Sequence, residues 1–175
     1  MKRLTGFAVV FLAGLIAVGF AVASVNGRWS VHANGSGEVP VRDSQGQGQG
    51  IFKLSDDGNS IEYKLIASNI DNVFMAHIHM NVPGQNGPIV VWLYPGTAVG
   101  VQGPLGAGRT DGVLVEGSFT AANLTGPLTG QPLSALITAM ETGHAYLNFH
   151  TNDGVAPTNT GPGDFPGGEI RGDIE

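Results

Sequence analysis

Residues Val73 to Tyr94 read VFMAHIHMNVPGQNGPIVVWLY, and the alternation at the start of this stretch sets the fold class. Phe74, Ala76 and Ile78 fall on one side of an extended chain, and Met75, His77 and His79 on the other, because successive side chains of a strand face opposite sides of the sheet. The two imidazoles then stand about 6–7 Å apart at Cα on a common face, close enough to share one metal ion. Pro83, Gly84, Asn86 and Gly87 predict a turn, and the apolar run from Ile89 to Tyr94 predicts a return strand.

Upstream, Trp29, Val31 and Ala33 alternate in a first strand over 29–38. Gly46 to Gly50 (GQGQG) reads as a flexible lead-in to a second strand over 51–55. Asp56-Asp57-Gly58-Asn59 is a hairpin turn, since Gly and Asn accept the positive φ that tight turns require, and 61–67 is its partner strand. Downstream, 95–112 is rich in glycine and reads as a long surface loop, with a strand from 113 to 120 beyond it. The single helix spans 132–142: Pro132 suits the first turn, Leu133, Leu136, Ile137 and Met140 recur at helical spacing, and Gly143 closes the end in the left-handed conformation. Ala145 to His150 is again a strand, with Ala145, Leu147 and Phe149 opposite Tyr146, Asn148 and His150. A loop over 152–168 and a closing strand over 169–174 complete the chain. With 28 glycines, 10 prolines and turn signals every ten or so residues, the expectation is an all-β, Greek-key β-sandwich with one short helix near 132–142.

The N-terminus has a different character. Lys2 and Arg3 precede an apolar run from Phe7 to Ala23, which ends on the small-x-small triplet Ala21-Val22-Ala23. This predicts a signal peptide over 1–23; the alternative is an uncleaved membrane anchor, at the short edge of the roughly 17–25 residues that span a bilayer. Either way residues 24–175 form one exported domain, secreted or otherwise extracytoplasmic, that meets the membrane only through that segment. Removing residues 1–23 takes the net charge from −6 to −8. An acidic surface excludes nucleic acid and anionic lipid as partners and leaves an extracellular protein or ligand. The chain has no cysteine, so disulfide staples, thiolate metal sites and cysteine nucleophiles are all ruled out, and stability rests on core burial.

Several separated motifs carry a resemblance. Ala76-His77-Ile78-His79 with Gly84-Gln85-Asn86-Gly87-Pro88, the run Gly143 to Thr151 (GHAYLNFHT), the closing Pro166 to Gly172 (PGGEIRG) and the early Gly37-Glu38-Val39-Pro40 are together similar to the CHRD (chordin-type) domain of exported microbial proteins. The resemblance spans the whole mature chain in the expected order and implies an extracellular β-domain with no established general activity. A weaker similarity, at the level of fold, is to the copper–zinc superoxide dismutases, which place a His-x-His pair on one strand and a further copper-binding His on a late strand. His77, His79 and His150 stand in that order here, but the chain lacks the cysteine pair, the further histidines of a bridged zinc site and the catalytic arginine segment.

Three imidazoles suit copper or zinc. All three alternate with apolar residues and so lie off the core face. They can meet only on an outer face, at a shared edge or beneath the 152–168 loop; otherwise each simply bonds loop backbone. Met75 on the histidine face and His144 after the helix are fallback ligands. Asp153 and Asp164 read as solvated turn carboxylates, and Glu169 and Arg171, two apart on one strand, as an ion pair. No nucleophile elbow, phosphate loop or pair of placed carboxylates is present, so no catalytic residue is assigned. Three functions fit: a non-enzymatic binding or structural module with a copper or zinc site at His77, His79 and His150; a copper-dependent, dismutase-like redox enzyme guided by Arg171 or Arg109; and an adhesion or matrix module whose histidines are structural.

Overall fold

The computed structural model describes residues 27–175, so the segment read as a signal peptide or anchor lies outside the described residues. Eight strands follow in order: β1 (Arg28–Asn34), β2 (Gln47–Leu54), β3 (Ser60–Asp71), β4 (Val73–Met80), β5 (Ile89–Tyr94), β6 (Arg109–Thr120), β7 (Ala145–Thr151) and β8 (Ile170–Asp173), with helix α1 (Leu133–Glu141) between β6 and β7. They form one antiparallel sheet in the order β5-β4-β7-β8-β1-β2-β3-β6. The two end strands, β5 and β6, come back into contact, so the sheet nearly closes into a flattened barrel. Two connections jump over neighbours (β3 pairs with β6, β4 with β7), which is the Greek-key feature the turn spacing predicts.

Alternation fills the interior as the sequence predicts. Trp29, Val31 and Ala33 of β1, Phe52 of β2, Leu65 of β3, Ile78 of β4 and Leu147 and Phe149 of β7 share one buried core. Phe52, Phe119 and Phe149 are essentially inaccessible, and each contributes about 1.5–3 kcal/mol through burial. Helix α1 lays Leu133, Leu136 and Met140 against this core and ends at Gly143, whose φ of 69° is the left-handed close expected there.

Two expectations change. The glycines of 46–50 are no lead-in, for β2 starts at Gln47, and Gly48 and Gly50 are buried, inward-facing strand residues. A Cβ on Gly48 would stand 2.6 Å from Phe149 Cε2, and one on Gly50 2.7 Å from Val31 Cγ1 and 2.8 Å from Leu147 Cδ2. Phe149 and Leu147 of β7, with Val31 of the adjacent β1, occupy the space that side chains here would need. The 95–112 loop is also shorter than it reads, because β6 begins at Arg109 and pairs it with Asp71 of β3. Glycine hides such pairing, since it adds nothing to an alternating pattern.

Candidate metal centre

Strands β4 and β7 lie side by side with Met75 opposite His150, His77 opposite Asn148 and His79 opposite Tyr146. His77 and His79 therefore share the outer face, and His150 arrives diagonally beside His77. An outer face is usually wet, yet these side chains retain only 0 %, 8 % and 5 % of their accessible surface. Three covers account for that. The turn over 81–88 bends across His79, the 152–168 loop crosses His150, and Trp92 on β5 sets its indole edge-on to His77 at 4.3 Å between centroids. Of the three meeting places open to the histidines, the structure selects the outer face beneath the loop.

Their tautomers follow from the hydrogen-bond network. A carbonyl oxygen only accepts, so His79 Nδ1–H donates to Gly87 O (2.9 Å) and His150 Nδ1–H to Pro166 O (2.9 Å). Each then turns a bare Nε2 inward. His150 Nε2 accepts from His77 Nδ1 at 3.1 Å, whereas His77 Nε2 and His79 Nε2 are buried without any partner. One nitrogen from each of the three rings lies within 4.8 Å of the others, and the ring centroids stand 4.8, 5.6 and 5.7 Å apart. Three nitrogens held 2.0–2.1 Å from one metal are about 3.3–3.6 Å apart, so ring rotations that aim the bare Nε2 atoms of His77, His79 and His150 at one point complete a ligand set.

Burial keeps the triad neutral, the form that ligates. Desolvation, reinforced by the neighbouring histidines, pushes His77 down to about 2. Desolvation also takes His79 down to about 4, with Arg171 adding to it and the Gly87 bond opposing. His150 is likewise pushed down to about 4 by burial, then by His79, against the Pro166 bond.

The covers are pinned by residues whose roles the sequence does not reveal. Arg171 donates to Gln85 O (3.1 Å) and Asn86 Oδ1 (3.3 Å) of the 81–88 turn and lies 3.5 Å above the Tyr146 ring, which stacks on His79. Tyr146 Oη accepts from Gly87 N–H at 2.8 Å. Glu169 accepts from Ser44 Oγ (2.6 Å), Thr151 Oγ1 and Gly163 N–H (2.7 Å), and so fastens the loop that carries Pro166. Glu169 and Arg171 thus make no ion pair with each other: each holds one cover, and the guanidinium pairs with Asp173. Asp164 is buried rather than solvated, accepting from the Thr160 amide and hydroxyl. Glu38, in the early motif, is 5 % exposed; burial lifts its carboxyl to about 7 against the pull of Arg171, the Val39 amide, Arg42 and Asn148. Hydrophobic alternation carries no signal for such second-layer groups. The clustering of Gly, Glu and Arg in the quoted motifs is the only trace of them.

Met75 is half-buried on the triad's face, whereas His144 is exposed beyond α1, its Nδ1 bonded to Thr142 Oγ1, outside the triad. Arg109 lies exposed between Asp71 and Asp111, engaged with both. Trp92 is half-buried against His77, so the indole is a wall of the site and not core, whereas Tyr94, opposite Ala76, packs against the core.

Replacing Arg171 with leucine is expected to loosen the 81–88 turn, raising amide exchange at Gly87 at least about tenfold while the β1–β2 amides stay protected. Unchanged exchange at Gly87 would show that the turn needs no such anchor.

A family model described as CHRD domain matches residues 29–174. No curated protein and no solved structure matches the chain.

Proposed function

The chain belongs to the CHRD domain family, and from that premise we propose that it is a non-enzymatic, extracytoplasmic binding or structural module that holds one copper or zinc ion at His77, His79 and His150. CHRD domains are typically extracellular, and no helix among the described residues is long and apolar enough to cross a membrane.

The observation that carries the reading is a pair of buried imidazole nitrogens without partners among the described residues. A folded protein rarely leaves buried polar nitrogens unsatisfied, because each costs about 1–3 kcal/mol. Here two imidazole nitrogens, His77 Nε2 and His79 Nε2, are buried without a partner in one cluster, and the chain commits Arg171, Tyr146 and Glu169 to holding its covers shut. Backbone acceptors at Gly87 and Pro166 fix two of the three tautomers, the usual second layer of a histidine metal site. Purely structural histidines need no such convergence. A catalytic site, for its part, needs substrate access, and the three rings lie beneath covers.

Metal analysis of the mature protein from its own compartment tests this, beside a His77→Ala/His79→Ala double variant. The expected result is about one equivalent of copper or zinc per chain, lost in the variant while the far-ultraviolet spectrum is kept. No metal on isolation and no uptake by the chelator-treated protein would refute the reading.

A further inference from the structure

We infer that the triad is built for monovalent copper in preference to zinc or divalent copper. The inference rests on the metal site proposed above and adds which ion, in which oxidation state, that site takes. Its grounds are the charge of the donors, their number and the neighbouring groups.

The donors are three neutral imidazoles, and among the described residues no carboxylate joins their cluster. The charged side chain layered over the triad is a cation: the Arg171 guanidinium lies 3.5 Å above the Tyr146 ring, which in turn stacks on His79. The buried acids of the surrounding layer stand outside that cluster. Glu169 is taken up by Ser44, Thr151 and Gly163, and Glu38 lies by Asn148 and Gly168. A dication entering this site brings two charges into a buried, uncharged donor set, with no anion among the donors to offset their desolvation. A monocation brings one, and since the Born cost scales with the square of the charge, the penalty falls about fourfold.

Coordination number points the same way. Zinc takes four donors, the fourth being a further residue or a water in an open position. The protein offers three nitrogens beneath the turn, the loop and Trp92, and the three rings keep at most 8 % of their surface. Copper(I), with a filled d shell, is satisfied by three nitrogens in a plane. Met75, opposite His150 on the triad's face, carries a thioether, a donor that favours Cu(I) and adds little for zinc.

Anaerobic competition separates the ions. The mature protein, stripped with chelator, is titrated with Cu(I) against bicinchoninate under ascorbate, and with Zn(II) and Cu(II) against chromophoric chelators of known affinity. Cu(I) is expected to be held at least about a hundredfold more tightly than Zn(II). A hundredfold preference for Cu(I) over Cu(II), relative to water, places the potential of the bound couple about 120 mV above the aqueous one. Zn(II) or Cu(II) held as tightly as Cu(I), or a potential at or below the aqueous value, overturns the inference and leaves the metal site standing. Failure to bind any of the three ions overturns both.

Discussion

Replacing Gly172 with valine is expected to destabilise the domain by more than about 3 kcal/mol, enough to unfold much of it at ambient temperature. A Cβ on Gly172 would stand 2.2 Å from the carbonyl oxygen of His32, 2.8 Å from the carbon of that carbonyl, and 2.7 Å from Val31 Cγ2. Its φ lies outside the left-handed region, so the cost is one of space. Two of those contacts are backbone atoms of β1, and they can retreat only if β8 moves off β1. Strand β8 joins the half of the sheet that carries the histidines to the half built from β1, β2, β3 and β6. The same strand carries Arg171, so the damage reaches the 81–88 turn. Gly50→Ala is the informative contrast, because the atoms it meets belong to the side chains of Val31, Leu147 and Phe52, which can shift, at about 1–3 kcal/mol. Urea unfolding of both variants, compared at equal slope, gives the order. Gly172→Val costing no more than Gly50→Ala would show that the β1–β8 seam is pliable.

The metal-free protein is expected to lose stability steeply as pH falls from about 6.5 toward 4.5. His77, His79 and His150 are depressed from 6.5 to about 2, 4 and 4 in the folded state. In that window the unfolded chain binds three protons that the folded one refuses, and acid pulls toward unfolding. Glu38 acts in the opposite sense. Its carboxyl rises from 4.5 to about 7, so between those values the folded state holds a proton that the unfolded state releases. The balance is about two protons, on the order of 3 kcal/mol per pH unit, which over two units rivals the whole stability of an ordinary domain. Denaturant midpoints at pH 7, 6 and 5 in the presence of chelator measure the slope, and His77→Phe, which removes one titrating group, is expected to lower it by about half. A midpoint that stays level across that range would mean that the triad admits water and protons freely. Bound metal is expected to flatten the curve down to the pH at which protons displace it.

Much of this protein could be read locally. Strand β4, the return strand β5, the 56–59 hairpin, α1 with its Gly143 close and β7 all appear where alternation and turn residues placed them, because each signal depends on one face meeting the core. Misreadings fell where a residue's role is set by a distant partner. Gly48 and Gly50 looked like slack chain because nothing local says that Phe149 and Leu147 fill the space above them. Glu169 and Arg171 looked like a pair because they are two apart on one strand, but stronger partners came from loops over the sheet edge.

The histidines divide in the same way. Sequence alone established that His77 and His79 share a strand face, that His150 stands on the outer face of a later strand, and that no cysteine competes as a ligand. Those are matters of period and composition, settled within a few residues. Only the tertiary structure decided that β4 and β7 are neighbours in a register that sets His150 diagonal to His77, and that two loops and an indole bury the trio. Register across a Greek-key crossover is fixed by the fit of the whole core, which no local pattern encodes.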